Sequence, residues 1–326
     1  MKAPSFWNFG KKTLRARLLS PIGALYHQAT TRRANQQARW KAPVPVLCIG
    51  NITMGGAGKT PTALAIAHYL MEAGKSPIFL SRGYGGRLAG PVMVEDHTAV
   101  GVGDEPLLLK QLAPVCVSAD RVAGAKMCVE QGADVIIMDD GYQNPHLYKD
   151  VSILVVDGGF GHGNEKVFPA GPLREKLTTG LARAQGLILI GEDKTGSLAR
   201  IGNIRPDLPL IKAEIQVDPR DDLKGKKLLA FAGIGRPEKF FETLRSLGAE
   251  LCEEVGFADH HPYSNEEINA LKERAKNQGA SLITTQKDRM RLPENMKKDI
   301  DWIKISLVWQ GLDVLKPVLS PLLGKE

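Results

Sequence analysis

From Pro45 onward, short apolar runs of strand length alternate with stretches whose apolar residues recur at helical spacing. That alternation predicts an α/β fold with a mostly parallel sheet built from βαβ units. The run "VPVLCIGN" reads as a strand, and "TPTALAIAHYLMEAG" behind it as a helix ending at Gly74. "SPIFLSRGYGG", "APVCVSAD", "ADVIIMDDGYQ", "DVSILVVDGG" and "AQGLILIGE" repeat the strand-plus-loop form. Around "DLPLIKAEIQVDPRDDLKGKK" the pattern becomes a polar connector with extended pieces. A second αβ series follows in "LLAFAGIGRPEKFFETLRSLG" and "AELCEEVGFADHH", a helix from about Ser264 to Gly279, "SLITTQKD" and "IDWIKISLVW". No internal repeat is visible. The chain of 326 residues accordingly divides into an arm at 1–41, a first domain at 42–210, an extended connector at 211–224 and a second, smaller αβ domain at 225–326.

The arm follows a different pattern. Leu14, Leu18, Ile22 and Leu25 stand at helical spacing behind Phe6, Trp7 and Phe9, and Ser20-Pro21 reads as an N-cap and first helical residue that splits the arm into two helices. Charge sharpens the picture. Of the net +7, the arm holds nine Lys or Arg and no acidic residue, which leaves 34 basic against 36 acidic residues elsewhere. A basic helix with an apolar face suits a membrane interface, and it equally suits docking on the protein's own core; both remain open here. The arm lacks the continuous apolar stretch of a signal peptide, and no run is long enough to span a bilayer. Cys48, Cys116, Cys128 and Cys252 are far apart without a C-x-x-C pair, as expected of reduced thiols rather than zinc or redox ligands.

The first strand runs into "GNITMGGAGKTPTA", which ends as a phosphate-binding P-loop but carries Thr53 where the pattern has its outer glycine. Gly55, Gly56, Ala57 and Gly58 would offer backbone N–H groups to an anion at the helix N-terminus. Lys59 would neutralise the β and γ phosphates of a nucleotide, and the Thr60 hydroxyl would ligate Mg²⁺. "ADVIIMDDGYQ" delivers Asp139 and Asp140 to the carboxyl end of a buried strand, where one carboxylate can hold the metal. "GVGDEPLLL" places Asp104 and Glu105 at the mouth of a helix. "GFADHHPYS" offers Asp259, His260 and His261 in the second domain, where a His–Asp pair across a cleft could take a proton from an alcohol.

Together, "CIGNITMGGAGKTP", "SRGYGG", "GDEP", "DDGYQN", "GPLRE" and "FADHH" stand in the order found in the tetraacyldisaccharide 4'-kinases, the lipid A 4'-kinases, and the chain resembles that family over nearly its whole length. The resemblance implies a P-loop NTPase-like fold of two αβ domains joined by a β-ribbon. It implies transfer of the ATP γ-phosphate, with Mg²⁺, to the 4'-hydroxyl of a tetraacylated diglucosamine 1-phosphate. It also places a peripheral enzyme at the cytoplasmic face of the inner membrane, held by the arm, with no nucleic-acid partner. By the same resemblance Lys59 and Thr60 are the P-loop pair and Asp104 and His260 the catalytic dyad. Glu105 and Asp140 are Mg²⁺-associated, and Asp139, Tyr84, Gln143 and Arg174 serve catalysis or substrate contact. Asn144 stands where the family often has His. Two other readings compete. A GTP-dependent switch would share the loop, and "TTQKD" loosely echoes a guanine-reading motif, although Met54 replaces the lysine such switches often carry. A nucleic-acid-associated ATPase could use the basic arm on phosphates, with steep salt dependence.

Overall fold

The computed structural model describes residues 4–11, 13–34 and 36–324; Lys2 and Lys12 of the arm and residues 325–326 of the expected second domain lie outside the described residues. A short 3-10 turn at Ser5–Trp7 leads into helix α1 (Leu14–Ala34). The first sheet then begins with β1 (Val46–Gly50), α2 (Lys59–Glu72), β2 (Pro77–Ser81), β3 (Val92–Met93), α3 (Ala99–Val102) and α4 (Asp104–Lys110). It continues through β4 (Val115–Val117), α5 (Arg121–Glu130), β5 (Val135–Asp139) and β6 (Val151–Asp157). After these come α6 (Leu177–Leu181), β7 (Gly186–Ile190), α7 (Ser197–Ile204) and β8 (Leu210–Val217). The second unit comprises β9 (Lys227–Ala232), α8 (Pro237–Ser246), β10 (Glu250–Gly256), α9 (Asn265–Asn277), β11 (Ser281–Thr285), α10 (Gln286–Arg289) and β12 (Asp301–Ile303). The chain then returns through β13 (Ile305–Gln310) and α11 (Leu312–Leu323).

Nine strands form the first sheet in the order β13-β8-β7-β6-β1-β5-β2-β4-β3, parallel except for β3 and β13 at the two edges. Its centre reads as uninterrupted apolar runs because both faces are covered. β1 lies between β5 and β6, with Ile49 opposite Asp139 and Gly50 opposite Leu154. On one face Ala63, Ile66 and Leu70 of α2 pack with Leu315, Leu319 and Leu322 of α11. On the other, Ala125 and Cys128 of α5 pack with Leu181 and Ile201. The second sheet, β10-β9-β11-β12, is wholly parallel and covered by α8 and α9. Local signals fix the helix starts: the Asp120 carboxylate accepts from Val122 N–H and Ala123 N–H at α5, and Ser264 with Glu267 forms a capping box at α9. Cys48, Cys116 and Cys128 are buried and Cys252 half-buried, all as free thiols.

The sheets divide the chain differently from the expected boundaries. β8, expected as a connector, is a strand of the first sheet, and β13 and α11, expected in the second domain, return to it. The polar look of β8 arises because Ile211 and Ala213 face the core while Lys212 and Glu214 face out. Lys304 separates β12 from β13, so one apolar run serves two sheets. The arm also departs from expectation, since α1 runs unbroken through Pro21. Proline removes one helical N–H. Ser20 Oγ donates to the Ala16 carbonyl at 2.7 Å and accepts from Lys166 Nζ at 3.1 Å, tying that turn to the body.

Candidate active site

The P-loop joins β1 to α2. Gly58 needs its missing side chain twice over: its φ is +87°, and a Cβ there would stand 2.4 Å from Ile190 Cδ1. Gly55 is also left-handed, at φ +103°, with open space where a Cβ would lie; a Cβ on Gly56 would likewise meet nothing, whereas Ala57 is buried. The loop is braced from outside: Met54 N–H donates to the Pro172 carbonyl at 2.7 Å and Arg174 N–H to the Ile52 carbonyl at 2.8 Å. The buried Asn51 side chain braces it from within, donating to the Gly55 carbonyl and accepting from Lys59 Nζ at 3.4 Å.

Thr60 Oγ1 donates to Asp139 Oδ2 at 3.2 Å, so the carboxylate beside the P-loop threonine is that of Asp139 and not of Asp140. Burial, reinforced by the negative charge of Glu105, raises the Asp139 carboxyl to about 7. Its second oxygen, Oδ1, is buried without a partner. Asp140 stands in left-handed backbone at φ +53°, 3.6 Å from Lys59 Nζ and 3.0 Å from the Arg174 guanidinium. Burial alone would raise the Asp140 carboxyl; Lys59 and Arg174 reverse this and hold it below the ordinary carboxylate range. Arg174 also donates to Gln143 Oε1, and Gln143 Nε2 donates to the Asn51 carbonyl and to Glu175. Gln143 and Arg174 therefore stand together behind the P-loop.

From the other side α4 presents two carboxylates in different directions. Asp104 meets His260 Nδ1 at 3.0 Å across the gap between the two sheets, while Glu105 meets Lys287 Nζ at 3.0 Å. Burial pushes the Asp104 carboxyl up, but the His260 hydrogen bond, with Lys287 and Arg291 nearby, outweighs it and leaves the group below its usual range. Tyr84 is exposed at the rim, its ring edge-on to His260 at 5.2 Å. Asp259 is 3.8 Å from the far nitrogen of His260. His261 points away, bonded to Glu267 at 3.0 Å and stacked on Phe257.

The structure thus brings the expected residues into two neighbouring groups at the carboxyl ends of the two sheets, one around the P-loop and one around the Asp104–His260 pair, and adds Asn51, Glu175, Lys287 and Arg291. Each lies inside or beside a stretch that the sequence already marked, but spacing along the chain assigns none of them a partner. "TTQKD" does not present a base-reading carboxylate: Asp288 is buried and accepts from Gly233 N–H, Tyr263 OH and Arg291. Among the described residues no group of three His, Cys, Asp or Glu could hold a metal by itself.

Comparison with known proteins identifies the family. The family described as tetraacyldisaccharide-1-P 4'-kinase matches residues 15–320. A tetraacyldisaccharide 4'-kinase of Methylorubrum extorquens is 50% identical over 98% of both chains. One of Rhodospirillum centenum is 47% identical over 100% of this chain and 98% of its own. The crystal structure of LpxK from Aquifex aeolicus in complex with ATP superposes with a TM-score of 0.75 at 27% identity, over 96% of this chain and 100% of that one. The chain belongs to the tetraacyldisaccharide-1-P 4'-kinase family and is a kinase of lipid A biosynthesis.

Proposed function

We propose that the cleft between the two sheets passes the γ-phosphate of ATP to the 4'-hydroxyl of a tetraacylated diglucosamine 1-phosphate, with Asp104 as the base. One observation carries the reading: Asp104 and His260, from different sheets, meet at 3.0 Å beside the P-loop, and Glu105 next to Asp104 is near enough to perturb Asp139. Phosphoryl transfer needs positioning and charge neutralisation more than covalent chemistry. The loop from Gly55 to Gly58 cradles the phosphates, and Lys59 leaves its contacts with Asn51 and Asp140 to neutralise the β and γ groups. Asp104 accepts the proton of the attacking hydroxyl, and His260 orients the carboxylate. Gln143, Arg174 and Tyr84 line the acceptor side.

The donor set fits Mg²⁺. Thr60 Oγ1 and Asp139 are hard oxygen ligands in contact, the orphaned Asp139 Oδ1 is free to accept an ion, and Glu105 and Asp140 supply further negative charge nearby. Bound Mg²⁺ would neutralise charge building on the transferring phosphoryl group. The two sheets act as two domains on the β8–β13 ribbon, with residues 305–324 belonging to the first.

The acceptor is a lipid, and α1 suits its surface. Leu14, Leu18, Ile22 and Leu25 are 52–71% exposed on one face, amid basic residues. No helix among the described residues is long and apolar enough to cross a membrane. In this reading the enzyme rests by this stripe on the cytoplasmic face of the inner membrane.

The test is incubation with γ-labelled ATP, Mg²⁺ and the tetraacyl acceptor in detergent micelles. Label moves to the lipid, and Lys59→Ala abolishes nearly all of the transfer. A Lys59→Ala rate within a few-fold of the parent would show that this loop is not the catalytic nucleotide site.

A further inference from the structure

His260 is held in a backbone conformation that residues other than glycine seldom adopt. Its φ of +58° lies in the left-handed region, which costs a non-glycine residue about 1 kcal/mol or more unless its surroundings enforce it. One side chain grips that turn. The Arg291 guanidinium is 5% exposed and reaches both main-chain carbonyls that frame the turn: NH2 donates to Gly233 O at 2.9 Å, and NH1 donates to His261 O at 3.1 Å. Gly233 O is also the acceptor of His260 N–H, at 3.0 Å. The remaining guanidinium nitrogen, Nε, stands 3.1 Å from Asp104 Oδ2 across the domain gap, an ion contact without hydrogen-bond geometry.

The Arg291 guanidinium is itself fixed. NH2 donates to Asp288 Oδ1 at 2.5 Å, and that fully buried carboxylate also accepts from Tyr263 OH at 2.6 Å and Gly233 N–H at 2.8 Å. The face of the Tyr263 ring lies 5.6 Å from the guanidinium. The segment that echoes a guanine-reading motif is thus the anchor of an arginine, and that arginine touches Asp104, the Gly233 carbonyl that accepts from His260 N–H and the carbonyl of His261.

We propose that Arg291 is the positioning residue of the Asp104–His260 pair, setting the His260 turn from the second domain while drawing Asp104 of the first domain against it. The inference rests on the reading of Asp104 and His260 as the reacting dyad. A planar fork with several fixed donors can hold two carbonyls and a carboxylate at once, whereas a lysine ammonium has the charge without that geometry. Arg291 touches no part of the P-loop, so its effect falls on the chemical step and not on the nucleotide.

The experiment is a double-mutant cycle of Arg291→Lys with His260→Ala, with rates expressed per ATP-binding site and folding followed by thermal melting. Arg291→Lys lowers kcat by about 10²-fold, the loss that a misplacement near 1 Å produces, and leaves the KM for ATP within about threefold. Added to His260→Ala it costs less than about threefold more, because it acts through a ring already gone. Arg291→Gln, which is uncharged, loses at least as much as Arg291→Lys. If Arg291→Lys keeps near-parental kcat while Arg291→Gln does not, charge alone matters and the positioning role is wrong. If the Arg291→Lys and His260→Ala losses multiply, or ATP KM absorbs the effect, the role is likewise wrong. A near-normal His260→Ala would instead overturn the dyad reading on which the inference rests.

Discussion

Asp140 and His260 both sit in left-handed backbone, and among the described residues only Glu165 shares that conformation without being glycine. Strain of this kind persists where surrounding contacts over-determine it, and both positions are gripped by arginines, Arg174 for Asp140 and Arg291 for the His260 turn. The two aspartates at the end of β5 show what residue type alone conveys. Their place at a strand end was legible from four apolar residues before them, but which one meets Thr60 depends on a backbone twist that composition does not encode. His162 shows the converse, a residue that the motifs did not single out. Its ring is buried with both nitrogens unpartnered, and burial first, with Arg200 adding, lowers it from 6.5 to about 4. A histidine so depressed contributes stability that is present above 6.5 and is lost as pH falls toward 4. Replacing the ring by one that cannot titrate, His162→Phe, should therefore flatten the fall in melting temperature between those limits while leaving the neutral-pH value close to the parent. An unchanged acid slope would mean that other groups set it.

Helix α1 has two faces with different partners. Ala16 and Gly23 are buried, and Gly23 sits so close to the Val167 carbonyl that a Cβ would come within 2.9 Å of it. Tyr26 and Trp7 both pack edge-on to Phe168, and Trp7 Nε1 donates to the Pro169 carbonyl. The small and aromatic residues thus hold the body, while the stripe of Leu14, Leu18, Ile22 and Leu25, open to either docking or a membrane by its pattern, points outward. Spacing gave the helix but not the side that docks, because a leucine stripe serves a core and a bilayer equally. Leu18→Glu with Leu25→Glu should release the protein from anionic vesicles by about tenfold or more in partitioning, and shift stability by no more than about 0.5 kcal/mol, as for exposed positions. Unchanged sedimentation with vesicles would place the membrane contact elsewhere. At the other end, α11 went unread because Pro317 and Pro321 interrupt a pattern that tertiary packing against β6 and β8 nevertheless makes helical.

Two sheets meet over the P-loop, and contacts tie them on both flanks. On the β6 side Asp157 is bound by Arg236 and by Lys239 at 2.9 Å; on the α4 side Glu105 is bound by Lys287, and Gln286 donates to Gln111 at 2.8 Å. The two αβ series were legible from periodicity, though not the placing of β8 and β13 in one sheet, and the residue types of each cluster were legible from the motifs. Periodicity has no access to pairing between sheets: Asp104 and His260 are 156 residues apart, and the return of β13 beside β8 together with the contacts on both flanks brings their sheets together. The central claim is that these two residues act as one unit. Single-turnover transfer from γ-labelled ATP, compared for Asp104→Ala, His260→Ala and the double variant, tests it most directly. Each single loses roughly 10² to 10⁴ in rate with little change in ATP affinity, and the double loses hardly more than the worse single. His261→Ala, whose ring is taken up by Glu267 and Phe257, stays within about tenfold of the parent, less than removal of a general base costs. Losses that multiply in the double variant, or a dead His261→Ala beside a working His260→Ala, would contradict the account.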